Sequence, residues 1–218
     1  MSMPNRAALC VEPPLASDSD RSADRSDWRT QLPVLHGAGV TLRQLRASDA
    51  PSLLSMLGVE DVARCISPPP PTVEGFEGFI AWTLREQAAG RNMSFGVVPH
   101  PYECAIGIIQ IRALEASFHT AEWGFAIGSP FWGTGVFLES ASAVVEFLVS
   151  IVGVHRLEAR ALVSNGRGNA ALRKLGAVQA GVLRQSFRRN GERLDQVLWA
   201  ILDTEWRQAR SVWGSRIH

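Results

Sequence analysis

Apolar residues acquire a rhythm near Leu32. "GVTLRQL" alternates, which predicts a strand, and "RASDAPSLLSML" comes next with Ser48 as N-cap, Pro51 in the first turn and Leu53, Leu54 and Leu57 on one helical face. "SPPPPT", Ser67 to Thr72, breaks the chain. "VEGFEGFIAWTLREQAAG" then sets Phe76, Phe79, Ile80 and Trp82 to Leu84 at helical spacing, a second helix. Two strands, "SFGVVPH" and "CAIGIIQIRAL", are joined by a turn at "PHPYE", and "TAEWGFAIG" is a further strand. "GVFLESASAVVEFLVSIVG" carries Phe137, Ala141, Val144, Val145, Leu148 and Ile151 in an i, i+3, i+4 pattern closed by Gly153. After it come a strand in "HRLEARAL", a short helix in "NGRGNAALRKLGA" stopped by Gly176, and a hairpin turning at Asn190-Gly191. A last helix falls in "DTEWRQARSVW". Trp82, Trp123 and Trp199 lie in apolar-patterned elements and are expected in the core.

Residues 1–30, with "PPLASDSDRSADRSD", lack apolar periodicity, so a disordered or loosely docked tail is expected there and a single domain over residues 31–218. With 218 residues, 46% of them hydrophobic, such a domain buries a sizeable core. The 22 basic and 21 acidic residues leave a charge of +1, so neither nucleic acid nor an anionic membrane is an expected partner. Cys10, Cys65 and Cys104 form no CxxC pair, and the five histidines lie in different elements without HExxH spacing. No disulfide framework and no metal are expected. Apolar runs are too short for a signal-peptide core or a membrane span, which points to a cytoplasmic protein.

The candidate chemistry begins at "SPFWGTGVFLES". Strand, glycine-rich turn, then helix is the arrangement in which free backbone N–H groups and the helix dipole meet an anion, most often phosphate. The same pattern also serves as an ordinary tight turn. The Gly-Lys-Ser/Thr ending of a nucleotide-binding loop is missing here, and so is GxGxxG.

The layout over about residues 32 to 206 resembles the GCN5-related N-acetyltransferase (GNAT) superfamily. "AEWGFAIGSPFWGTGVFLES", with Glu139 in its helix, is similar to a segment of the branch that contains ribosomal-protein N-terminal acetyltransferases. "HRLEARALVSN", ending in Asn165, and "NGRGNAALRKLGAVQAGVLRQSF" resemble the next strand and the helix and closing strand after it in that branch. The resemblance implies an α+β fold, a mixed and mostly antiparallel sheet of about six or seven strands with helices on both faces. It implies acetyl-CoA as cosubstrate, its pyrophosphate on the N–H groups of Gly133, Thr134, Gly135 and Val136 beside Trp132. Pantetheine would lie between the strands "TAEWGFAIG" and "HRLEARAL", with Asn165 contacting it or positioning the thioester or a water for catalysis; Asn165 is also a natural N-cap. Arg167 and Lys174 are candidates for the 3′-phosphate, though exposed basic residues on a short helix are commonly just solvated. The chain departs from the family where Phe137 replaces a small residue: its ring either enters the core or crowds the cofactor. Leu172 and Gly168 stand where many members carry Tyr and Ser, so no general acid is assigned; the only tyrosine, Tyr102, falls in a distant turn.

Acyl transfer to a primary amine requires a neutral amine, and an alkylammonium with a pKa of roughly 10 is mostly protonated at pH 7. Glu122, beside Trp123 and Phe125 on the strand before the turn, is the candidate general base; a structural ion pair is its alternative role. The expected acceptor is a protein or peptide N-terminus or a small-molecule amine. Glu60, Asp61 and Glu74, around the loop between the first helices, could receive a cationic one, and His119 could lie near the mouth. The resemblance also implies a homodimer. The competing reading is a non-catalytic module that binds coenzyme A or a protein on the same fold.

Overall fold

A computed structural model describes residues 27–214. The tail expected over residues 1–30 therefore lies outside the described residues as far as residue 26. Trp28 is already part of the core, its indole edge-on to Phe118 at 5.2 Å.

Eight strands form one sheet in the order β1-β2-β3-β4-β5-β6-β8-β7. They are β1 (Leu35–His36), β2 (Val40–Gln44), β3 (Asn92–Pro99), β4 (Gly107–Ala113), β5 (Thr120–Ile127), β6 (Arg156–Leu162), β7 (Val178–Arg189) and β8 (Glu192–Leu202). The count exceeds the expected six or seven because of β1, whose two residues pair with Leu42 and Thr41 and are too few to show an alternation. Every neighbouring pair is antiparallel except β5 and β6. A parallel pair needs a crossover, and α4 (Val136–Phe147) supplies it.

One face of the sheet is covered by α1 (Ala50–Leu57), α2 (Glu60–Ala63) and α3 (Val73–Ala88), around Leu53, Leu57, Val62, Phe76 and Ile80. The other carries α4, α5 (Gly166–Leu175) and α6 (Asp203–Gly214), around Val144, Val145, Leu148, Leu172 and Trp206. With α3 on one side and α4 on the other, all eight residues of β3 are buried.

Local chemistry sets the boundaries. Thr72 Oγ1 accepts the Gly75 N–H and starts α3, while Gly153 and Gly176, both left-handed, stop the helices before them. Asn190 at φ 48° and Gly191 at φ 83° make the β7–β8 turn, the conformation that an Asn-Gly pair favours. Three expectations are corrected. Ser48 is not an N-cap: residues 47–49 form a 3-10 turn, and Asp49 accepts the N–H of Arg46 instead. Trp82 is 41% exposed and packs on Phe79 at 6.0 Å, since only Phe76, Ile80, Thr83 and Gln87 of that helix are buried. Ile151 is 42% exposed because the helix widens to a π-type turn over Leu148–Val152 and loses the 3.6-residue period.

Asp49 is fully buried and joined to Arg43 by two hydrogen bonds of 2.8 Å. It also accepts the Ala105 N–H, and Arg43 donates to the Glu103 carbonyl, so β2, the start of α1 and the β3–β4 loop are tied together. That loop carries Tyr102, whose ring meets Phe131 at 5.4 Å beside the glycine turn.

Candidate active site

β5 and β6 pair only from Thr120↔Arg156 to Trp123↔Ala159, although β5 runs on to Ile127 and β6 to Leu162. The strands separate beyond Trp123, and a cleft of about 1420 Å³ opens there. At the two ends of the β4–β5 ladder the Leu114 N–H donates to the Thr120 carbonyl and the Gly128 N–H to the Ile106 carbonyl, which sets the phase of β5: the N–H groups of Phe125 and Ile127 face the gap.

The glycine turn stands at the top of this gap. Gly133 has φ 80° and Gly135, the N-cap of α4, has φ 92°, both costly for any residue with a Cβ. A Cβ at either would meet nothing within 4 Å, so conformation requires glycine here and the space in front stays open. The turn is braced from behind: Trp132 Nε1 donates to the Ile127 carbonyl at 2.8 Å and Thr134 Oγ1 to the Phe131 carbonyl at 2.7 Å. The Glu139 N–H is the donor that reaches back to Gly135, so the N–H groups of Val136, Phe137 and Leu138 are the first-turn donors of α4. The positive end of the helix dipole lies with them, at the turn where Gly133, Thr134, Gly135, Phe137 and Leu138 line the cleft.

Phe137 is half-buried. Its ring lies against Phe125 at 4.2 Å and parallel to Trp123 at 6.4 Å at the edge of the core, and the residue also lines the cleft beneath the turn. Glu139 points away, accepting the Gly39 N–H at 2.6 Å and fixing the β1–β2 turn to α4.

Across the gap, Asn165 caps α5 by accepting the Gly168 N–H at 2.9 Å and also lines the cleft. Asn169 backs it, donating to the Asn165 and Leu162 carbonyls while accepting from Trp199 Nε1. The Arg167 guanidinium rests 4.7 Å above the Trp132 ring at the lip of the glycine turn, and Lys174, two turns further along the same face of α5, also lines the cleft. Leu172 is buried and Gly168 sits beneath Asn165, so neither offers a proton donor.

Glu122 lies on the cleft floor. Its Oε2 accepts from Arg112 at 2.6 Å and has Arg160 at 3.7 Å, while Oε1 accepts no hydrogen bond among the described residues. One oxygen is thus anchored, and the residue lines the cleft. Sequence reasoning missed Arg112 and Arg160. Each lies on the same strand face as Glu122, but only the register, Arg112↔Glu122, brings them together. The far wall is also tertiary: Arg189, near the tip of the β7–β8 hairpin, donates to the Ala63 carbonyl at 2.6 Å and closes the hairpin against the loop after α2.

Of the acidic residues proposed for the acceptor, Asp61 lines the cleft and pairs with Arg64 at 3.6 Å, whereas Glu60 and Glu74 do not line it. His119 lies at the opposite end of β5, its carbonyl accepting the N–H groups of His155 and Arg156. Among the described residues no group of three or more His, Cys, Asp or Glu side chains could hold a metal ion, and no helix is long and apolar enough to cross a membrane.

Known proteins share this architecture. The chain is 28% identical over 174 residues to the uncharacterised N-acetyltransferase YoaA of Bacillus subtilis (strain 168), covering 78% of this chain and 97% of that one. It is 25% identical over 122 residues to the [ribosomal protein uS5]-alanine N-acetyltransferase of Escherichia coli (strain K12), 56% of this chain and 63% of the relative. The ribosomal-protein-S5-alanine acetyltransferase of Vibrio fischeri has the same fold at a TM-score of 0.71 and 19% identity, over 80% of this chain and 98% of that one. A GCN5-related N-acetyltransferase from Brucella melitensis superposes equally well, at 0.71 and 21% identity over 83% and 85%. Residues 40–178 match the model of the acetyltransferase (GNAT) domain. With that match spanning most of the chain, this protein belongs to the GNAT acetyltransferases and is an acyltransferase.

Proposed function

We propose that the protein transfers the acetyl group of acetyl-CoA to a primary amine by direct attack in a ternary complex. The open glycine turn at the N-terminus of α4, above the separation of β5 and β6, carries this reading. The N–H groups of Gly133, Thr134, Gly135 and Val136 would hold the pyrophosphate, flanked by Trp132. Arg167 and Lys174 would meet the 3′-phosphate, and Asn165 the pantetheine. When bound, acetyl-CoA supplies the activated acyl group.

The chain's own residues do the rest. Glu122 takes a proton from the acceptor ammonium at Oε1, the oxygen left open by its ion pairs. The Phe125 and Ile127 N–H groups are donors for negative charge on the reacting oxygen. Without a side-chain acid on α5, water protonates the departing thiolate, whose parent thiol has a pKa of about 8.5.

The acceptor is a protein or peptide α-amine or a small-molecule amine. The relative from Escherichia coli, named for its action on an alanine of ribosomal protein uS5, supports the protein class. One catalytic domain over residues 31–218, cytoplasmic residence and a homodimer complete the reading. It is tested by thiol release from acetyl-CoA with a panel of amines that includes peptides beginning in alanine. Amine-dependent release supports the reading, and no release with any amine counts against it.

A further inference from the structure

The cleft floor carries one more guanidinium than it has carboxylates. Asp61 and Arg64 offset each other at the rim. On the floor, Arg112 and Arg160 share only Glu122. Arg112 holds Oε2 at 2.6 Å, whereas Arg160 stands 3.7 Å from the same oxygen, too far for a hydrogen bond. Among the described residues the Arg160 guanidinium has no hydrogen-bond acceptor, although it lines the cleft and its side chain is 37% exposed.

Its position is equally informative. Arg160 comes directly after Ala159, the last β6 residue paired to β5, and so stands opposite Gly124 at the first point of separation. A Cβ on Gly124 would meet nothing within 4 Å, so the space over this part of the floor is open. Gln110 and Asn92 line the same floor, and Asn92 Oδ1 is buried without a partner. A polar basin with one spare positive charge thus sits where the reacting atoms would meet.

Building on the acetyltransferase reading, we propose that Arg160, assisted by Arg112, is a carboxylate-binding subsite, so that the substrate carries a carboxylate a few bonds from the reacting atoms. The planar fork of arginine matches a carboxylate with two parallel hydrogen bonds, which Arg160 has free to give. A carboxylate here neutralises the spare charge and leaves Glu122 Oε1 to receive the ammonium. It can belong to the acceptor, as in an α-amino acid, or to the acyl group of a dicarboxylic acyl-CoA. Polycationic amines, by contrast, meet a floor of their own sign.

Thiol release is measured for wild type, Arg160→Gln and Arg160→Lys in two arms. One pairs acetyl-CoA with alanine or alaninamide; the other pairs alaninamide with succinyl-CoA or propionyl-CoA. The ratio of kcat/KM within each pair is compared between proteins, which cancels differences in amine basicity. In one arm the ratio should favour the carboxylate in wild type, fall about tenfold or more in Arg160→Gln, and recover in part in Arg160→Lys. The arm that responds identifies the source of the carboxylate. Calorimetric binding of acetyl-CoA runs alongside. Equal or absent turnover of both carboxylate-bearing substrates by a wild type that binds acetyl-CoA overturns the subsite and leaves the acetyltransferase reading standing. Loss of acetyl-CoA binding in Arg160→Gln also overturns it, by assigning the residue to the cofactor. A wild type that does not bind acetyl-CoA removes the acetyltransferase reading and the subsite with it.

Discussion

Glu122 and Arg112 are direct cross-strand partners, and Arg112 holds a single carboxylate oxygen of Glu122 at 2.6 Å. The ion pair fixes the carboxylate on the cleft floor without using its second oxygen. A general base and a structural ion pair are therefore compatible roles for one side chain.

Replacing Glu122 by Gln keeps the shape and removes the basic oxygen. Turnover should fall by about 10² to 10⁴, the usual worth of a positioned general base. Acetyl-CoA affinity should stay within about twofold, because no cofactor contact is removed. Steady-state kinetics with calorimetry on the same variant checks both.

Arg167 lies over Trp132 beside the turn. If it meets the 3′-phosphate, Arg167→Ala should weaken acetyl-CoA about tenfold and leave the 3′-dephospho form nearly unaffected, since one charge-assisted contact is lost. Parallel titrations with the two thioesters read the difference.

Asp49 gives the fold a pH dependence. Burial alone raises its carboxyl, but the hydrogen bond from Arg43 and those from the Ala105 and Arg46 N–H groups prevail and hold it below the ordinary range. A depressed folded value means that this stability is complete above the unfolded carboxyl value, about pH 4, and is lost as pH falls through the folded one. Asp49→Asn, which strands the buried Arg43 charge, should cost about 3 to 5 kcal/mol at pH 7. The deficit should shrink below about pH 4 in denaturant unfolding followed across pH.

Much of the fold was legible because its signals are local. Alternation marked β2, short apolar runs around a turn marked β3 and β4, the 3.6-residue period marked α4, and Asn190-Gly191 marked the hairpin. The glycine turn was legible too, since a turn that needs two left-handed residues must show glycines. What was hidden depends on register and on which helix face is covered. Arg112 and Arg160 read as ordinary strand residues until pairing sets them beside Glu122. Trp82 fits a helical pattern, yet it stands beside Phe79 at the open cleft and not in the core. Phe137, whose two outcomes the sequence left open, packs against Phe125 and Trp123 and also lines the cleft, a placement set by tertiary packing under α4.

The most direct measurement is calorimetric titration of acetyl-CoA into the full-length protein and into Gly135→Glu. Wild type should bind in the micromolar range. The variant, with a carboxylate and a strained left-handed residue placed at the open turn, should show no binding while staying folded by circular dichroism. Absence of binding to wild type, or equal binding to both proteins, would contradict the assignment of this turn to the pyrophosphate.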